Sequence, residues 1–192
     1  MKTLEKIITK QKTFPILRCV GVKDGVGMAT DLENALYFNI ALPNGVYTKD
    51  MRLAEEDLRD FPEPPKMTGE KIVGTLSKSE ITFITNISRA CSRDNTRPAI
   101  TGVCFDGRYA VATDGYQANI TLTRLHFGEY LPIIRRAAIE LLEPLLDDGE
   151  AEEITVSVNG DNDLVRFRCG TVYMDTKPID YRYPKWREFF NH

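Results

Sequence analysis

The stretch RPAITGVCFDGRYAVATDGYQ, residues 97–117, decides the fold because the chain writes it twice. Moved back by 83 positions, it lies without a gap on FPILRCVGVKDGVGMATDLEN, residues 14–34. Pro98 falls on Pro15, Val103 on Val20, and Ala112-Thr113-Asp114 on Ala29-Thr30-Asp31; just ahead, Thr96 falls on Thr13. Ile100, Phe105 and Val111 fall on Leu17, Val22 and Met28, so the apolar positions repeat as well. Self-similarity at one fixed offset marks a repeated supersecondary unit. It also bears on the two aspartates. A catalytic Asp needs its neighbourhood once, whereas a turn-forming Asp recurs with its module. Asp31 and Asp114 therefore read as Asx side chains bonding backbone amides where a strand turns. Gly115 suits positive φ in the second copy. Leu32 holds that place in the first, so the two turns are expected to differ in detail.

What precedes each copy also matches. Leu4, Ile7 and Ile8 share a helical face within residues 3–11, as do Ile81, Ile84 and Ile87 within 78–92. Ser77 with Glu80 fits a capping box at the start of the second helix. A third unit keeps the order without the Ala-Thr-Asp signature. Pro132 suits the first turn of a helix carrying Ile133, Ile134, Ala137, Ala138, Leu141, Leu142 and Leu145, which Pro144 would weaken or end. The strands EITVSV, LVRFRC and VYMDTKPI follow, with one solvated face. The predicted class is α+β, with repeated helix-plus-antiparallel-strand modules. One module occupies residues 1–55, the acidic, proline-rich segment 56–77 connects, and 78–192 holds two modules sharing a core.

The 192 residues carry 25 Lys and Arg against 28 Asp and Glu, a net charge of −3 that excludes a basic coat but not a local basic face. No apolar run reaches the ~20 residues of a membrane span. The charged N-terminus does not read as a signal peptide, and a cytoplasmic location is expected. Cys19, Cys91, Cys104 and Cys169 form no C-x-x-C and read as buried thiols; with two histidines, no metal or cofactor is expected. Phosphate-loop, nucleophile-elbow and zinc-protease motifs are missing. Asp161-Asn162-Asp163 lacks the spaced Gly and final Glu of a calcium loop and reads as a hairpin turn. The expectation is no enzyme.

The segment SRDNTRPAITGVCFDGRYAVATDGYQA, residues 92–118, resembles the start of the middle domain in the bacterial DNA sliding clamp family, the beta subunit of DNA polymerase III. LRDFPEPPK (58–66) resembles the end of that family's first domain, and LPIIRRAAIELLEPLL (131–146) its second middle-domain helix. RFRCGTVYMDTKPIDYRYPKWREFF (166–190) resembles the strands that close the middle domain, and KTFPILRCV with MATDLE the first half of the first domain. The resemblance implies a DNA-clamp fold of about one and a half domains, lacking the third domain and, between residues 45 and 55, part of the first. It also implies a non-enzymatic processivity factor for DNA replication or repair.

In that family helices line a ring around duplex DNA, held by phosphate attraction without sequence readout. The DNA-facing candidates are Lys2, Lys6, Lys10, Lys12, Arg89, Arg93, Arg135 and Arg136. Lys2, Lys6 and Lys10 lie at i, i+4, i+8, opposite Leu4, Ile7 and Ile8; Arg135 and Arg136 are placed in the first turn of the third helix. Solvated helix faces carry such residues too, and both readings stand. The resemblance also implies a groove for clamp-binding peptides of replication proteins, at Ile100, Thr113, Gly115, Tyr116, Gln117, Ala118, Pro184 and Phe189. Its alternative is packing of the C-terminal tail, with Trp186, on the sheet. Tyr116, Gln117 and Ala118 depart from the family's His or Tyr, Arg and Leu. Duplex DNA and a homo-oligomer are the expected partners, about four chains closing a ring by symmetry. An interaction module that binds replication proteins without encircling DNA is the competing reading.

Overall fold

The computed structural model describes residues 1–8, 14–161 and 163–190, with side chains for all of these except 189 and 190. Lys10, Lys12 and the Phe189 side chain lie outside the described residues. The first unit is helix α1 (Lys2–Ile8) followed by strands β1 (Val20–Lys23), β2 (Val26–Thr30), β3 (Asn34–Asn39) and β4 (Gly45–Tyr47). The second is strand β5 (Lys71–Ser77), helix α2 (Lys78–Ile87) and strands β6 (Gly102–Asp106), β7 (Tyr109–Thr113) and β8 (Ala118–Leu122). The third is strand β9 (Ile133–Arg135), short helices α3 (Arg136–Ile139) and α4 (Leu142–Asp148), and strands β10 (Glu153–Val158), β11 (Val165–Cys169) and β12 (Val172–Thr176). The architecture is α+β and the strand pairs are antiparallel. The offset of 83 carries β2 onto β7 and β3 onto β8, residue for residue within one position.

The repeated turn uses the same Thr and Asx bonds to backbone in both copies. Thr30 Oγ1 donates to the Asn34 carbonyl at 2.8 Å, and Thr113 Oγ1 to the Gln117 carbonyl at 2.6 Å. Asp31 Oδ1 accepts the backbone N–H groups of Glu33 and Asn34, and Asp114 Oδ1 those of Tyr116 and Gln117. The Asx reading holds. The backbone shape is shared, with Leu32 at φ 76° where Gly115 takes φ 95°, while the expected difference in detail lies in the side chains: Asn34 Nδ2 donates to both Asp31 carboxylate oxygens, whereas Arg97 Nη1 donates to the Asp114 carbonyl. The hydrogen bonds on either side over-determine the turn, so the first copy tolerates a left-handed leucine instead of changing shape.

Helix α2 starts at the expected box, with Ser77 N–H donating to Glu80 Oε2 at 3.0 Å and Glu80 N–H to Ser77 Oγ at 3.4 Å. The third helix is corrected. Ile133 and Ile134 belong to β9, which pairs with β6, and Arg135 ends that strand. Both isoleucines are buried, on opposite faces of the sheet and in different apolar clusters. Two adjacent buried apolar residues fit a strand buried on both faces as well as a helix, so periodicity does not separate them. Pro144 lies in the first turn of α4, where no N–H partner is needed, and does not end it.

Two sheets result, β4-β1-β2-β3-β12-β11-β10-β5 and β8-β7-β6-β9. The second and third units exchange first strands: β5 joins β10 and β9 joins β6. The first unit enters through β3, whose outer edge pairs with β12, Tyr37 opposite Tyr173. One apolar core runs from Leu4 and Ile7 through Leu36, Ile84 and Phe105 to Leu145 and Phe167. Segment 56–77 is more than a connection. Phe61 is buried against Cys19 and Val46, and Gly21 makes room for it, since a Cβ there would stand 2.9 Å from its ring.

Candidate nucleic-acid face and partner groove

Helices α1, α2 and α4 pack side by side, α4 in the middle. The N-terminus of α1 is capped from α4: Asp148 accepts the backbone N–H groups of Lys2 and Thr3 at 2.9 and 2.8 Å. A carboxylate there satisfies free amide donors and complements the helix dipole. Lys2 Nζ meets Asp147 Oδ2 at 2.9 Å, which holds the ammonium pKa above its ordinary value. Thr82 of α2 donates to Glu143 of α4 at 3.1 Å.

The eight basic candidates thus divide. Lys2 is tied to Asp147, Arg135 to Glu33 at 3.0 Å, and Arg136 to Glu140 at 2.8 Å. Lys6, Arg89 and Arg93 are exposed and form no ion pair among the described residues. Arg93, Arg135 and Arg136 line one shallow depression of about 410 Å³ together with Asn95 and Glu140. Arg135 reaches it from a strand end instead of a helical first turn. The acidic residues of α4 make the helix layer mixed in charge.

The groove candidates are also divided. Ile100 is buried in a cluster with Cys104, Val111, Ile133, Ile179, Tyr183 and Trp186. The chain's own C-terminal segment therefore covers that surface. Tyr183 Oη donates to the Val111 carbonyl at 3.1 Å, and Trp186 Nε1 to Asp106 Oδ2 at 2.9 Å. Arg187 also reaches Asp106. Thr113 is buried in its turn, Pro184 is half-buried, and Gln117 and Ala118 border the turn after β7. Tyr116 is 95% exposed at its tip. At Gly115 a Cβ would meet the Arg97 guanidinium, the movable end of a long side chain, so it is the positive φ that fixes this position.

Two charged groupings had no local signature. Glu80 receives Arg124 as well as Ser77, and Arg124 continues to Glu153 at 2.8 Å. Burial pushes the Glu80 carboxyl up, but the hydrogen bonds from Arg124 and Ser77 outweigh it and bring its pKa down to about 2. At the seam between first and third units, Arg166 grips Asp175 with two bonds of 2.7 Å, and its guanidinium lies 4.2 Å over the Tyr173 ring. Tyr173 stacks on Tyr37 across the seam at 4.6 Å. Desolvation works against both ions; the paired carboxylate nevertheless holds the Arg166 pKa above its ordinary value. All four cysteines are buried free thiols, and burial pushes Cys91 and Cys104 up to about 12. Among the described residues no group of three His, Cys, Asp or Glu is placed to hold a metal ion, and no helix is long and apolar enough to cross a membrane.

No protein-family model matches the chain, and no curated protein matches it. Solved structures do. The DNA polymerase sliding clamp of Caulobacter crescentus is 17% identical with a TM-score of 0.77, covering 100% of this chain and 65% of that one. The DNA polymerase III subunit beta of Pseudomonas aeruginosa is 19% identical with a TM-score of 0.76, covering 100% and 65%. The DNA polymerase sliding clamp of Bacillus subtilis is 17% identical with a TM-score of 0.76, covering 97% and 63%. The chain has the fold of these bacterial sliding clamps and spans less than two thirds of their length.

Proposed function

Proceeding from the sliding-clamp fold, we propose that this chain is a non-enzymatic, clamp-like processivity factor of DNA replication or repair. In this reading it is a cytoplasmic protein that acts as an oligomer on duplex DNA. The observation that carries the reading is a set of exposed cations with no ion pair among the described residues: Lys6 on α1, and Arg89 and Arg93 in the 3-10 turn and loop that follow α2 at Ile87. Exposed cations bind phosphates without reading sequence, and the solved clamps of this fold are named as DNA polymerase clamps. Ring closure by about four chains follows from module count and symmetry.

The test is retention on nicked circular against linear duplex DNA, with light scattering on the same sample. The expected result is an oligomer retained on circles and lost from linear ends. Neutralising Lys6, Arg89 and Arg93 together to Gln should cut retention at least about tenfold and flatten its salt dependence. A strict monomer indifferent to both forms of DNA would overturn the reading.

A second reading is an interaction module that binds replication proteins without encircling DNA. Tyr116, projecting at 95% exposure from the turn after β7, favours it. It predicts salt-insensitive binding of a clamp-binding peptide and full function in the neutralised triple variant.

A further inference from the structure

The two sheets end on edges of different kinds. At one end of the larger sheet β4 is only three residues long, and its last residue, Tyr47, is bridged by Leu53. At the other end β5 carries Lys71 and a register irregularity, and the Val73 carbonyl accepts the His126 N–H at 2.8 Å. These are the usual protections of a strand edge. β8 has none of them. Gln117 to Thr123 contains no charge and no proline, and β8 ends its sheet with β7 on one side only. Thr123 N–H bonds the Arg108 carbonyl at 2.9 Å, so the alternation of an antiparallel ladder turns the N–H and C=O groups of Ala118, Ile120 and Leu122 outward. Leu122 is 59% exposed beside this edge, and Phe83 of α2, on the helix side, is 57% exposed. The repeat states what such an edge is for. β3 is the equivalent strand, and its edge is covered by an antiparallel strand.

We propose that the open edge of β8 pairs antiparallel with β8 of a second copy of this chain, about a two-fold axis at Ile120. The strand is self-complementary in that register. Ile120 opposes Ile120 of the partner, Asn119 opposes the partner's Thr121, and Ala118 opposes the partner's Leu122. Polar meets polar, and small meets large on the apolar face. The joined sheet has four strands from each copy, matching the four-plus-four sheet that β3 and β12 complete within the chain. Residues directly opposed in an antiparallel pair point to the same side, so both helix layers face one way. A β12-type strand from another protein is a less fitting occupant. Where β3 offers Tyr37 to stack on Tyr173, β8 offers Ile120. The inference rests on the oligomeric part of the clamp reading and not on DNA.

The experiment uses the full chain in a concentration series by sedimentation, with site-directed cross-linking. The wild type should associate through a dimer, either as the end state or as the building block of the four-chain assembly. Leu122→Lys, at an exposed site, should weaken association at least tenfold without lowering Tm. Ile120→Cys should give a reducible dimer under mild oxidation, because opposed residues in a hydrogen-bonded pair sit about 5.5 Å apart at Cα. The four native thiols are buried and give no background. A monomer at all concentrations without the Ile120→Cys cross-link overturns the proposal. So does a dimer that survives Leu122→Lys and cross-links at Leu53→Cys but not at Ile120→Cys. A cross-linked dimer that ignores DNA supports this interface and removes the DNA reading.

Discussion

β3 and β8 are the same strand in two copies of one module, and they meet opposite fates. Their turns share the same Thr and Asx bonds to backbone, yet β3 is sealed under β12 while β8 stands open. The turn belongs to the module, because its hydrogen bonds are made within five residues. The edge belongs to the neighbour, because what covers it comes from elsewhere. The side chains follow the neighbour too. β3 carries Tyr37, which takes part in an aromatic and ionic seam, and β8 carries Ile120 in an uncharged run.

The sharpest test of this contrast is to remove the ion pair of β11 and β12 that lies behind the sealed edge. Arg166 and Asp175 are 11% and 2% exposed, so Asp175→Ala leaves a guanidinium buried without its bidentate partner. The expected loss is about 3–5 kcal/mol in denaturant unfolding, the usual cost of breaking a buried pair from one side. If unfolding shifts by less than about 1 kcal/mol, this pair does not support the strand that covers β3.

Exchanging the two turn residues comes next. Gly115→Ala adds a Cβ at positive φ against Arg97 and should lower stability by about 1–2 kcal/mol. Leu32→Gly, at the same place in the first copy, should raise it by up to about 1 kcal/mol, since relief of the left-handed leucine competes with glycine's entropy. Equal effects at the two positions, measured by Tm, would contradict the shared geometry.

The helices of the two copies differ by pH. α1 is capped from across the molecule by Asp148, while α2 is capped by its own Ser77 and Glu80. Glu80 is held at about 2, below its ordinary value near 4.5. Its contribution is therefore present at neutral pH and is lost as pH falls from about 4.5 towards 2. With the group partly open to solvent, the expected loss is about 1–2 kcal/mol. Glu80→Gln should flatten that part of the stability profile, read from urea midpoints between pH 5 and 2. A wild-type slope that survives the substitution would place the acid sensitivity elsewhere.

What the sequence made legible was local. The repeat, the Asx turns, the capping box and the order of the units depend on residues a few positions apart. β9 was hidden because Ile133 and Ile134 suit a doubly buried strand and a helix equally. The left-handed Leu32 was hidden because side-chain identity alone favours a different turn. Of the candidate site, the pattern of cations was readable but their pairing was not. Asp147 lies 145 residues from Lys2 and Glu33 102 residues from Arg135, and neither distance leaves a trace in spacing. The covering of Ile100 by Tyr183 and Trp186 is likewise a contact between distant segments.

The β3–β12 seam sets a timetable for the chain as it is made. β3 is made well before its partner β12. Until Tyr173 and Asp175 are available, the first unit has an uncovered edge and half a core, and closing it requires a loop of well over one hundred residues. Contacts of such long sequence separation form slowly and leave apolar surface exposed meanwhile. The unit made before the other two is the one whose edge is covered latest.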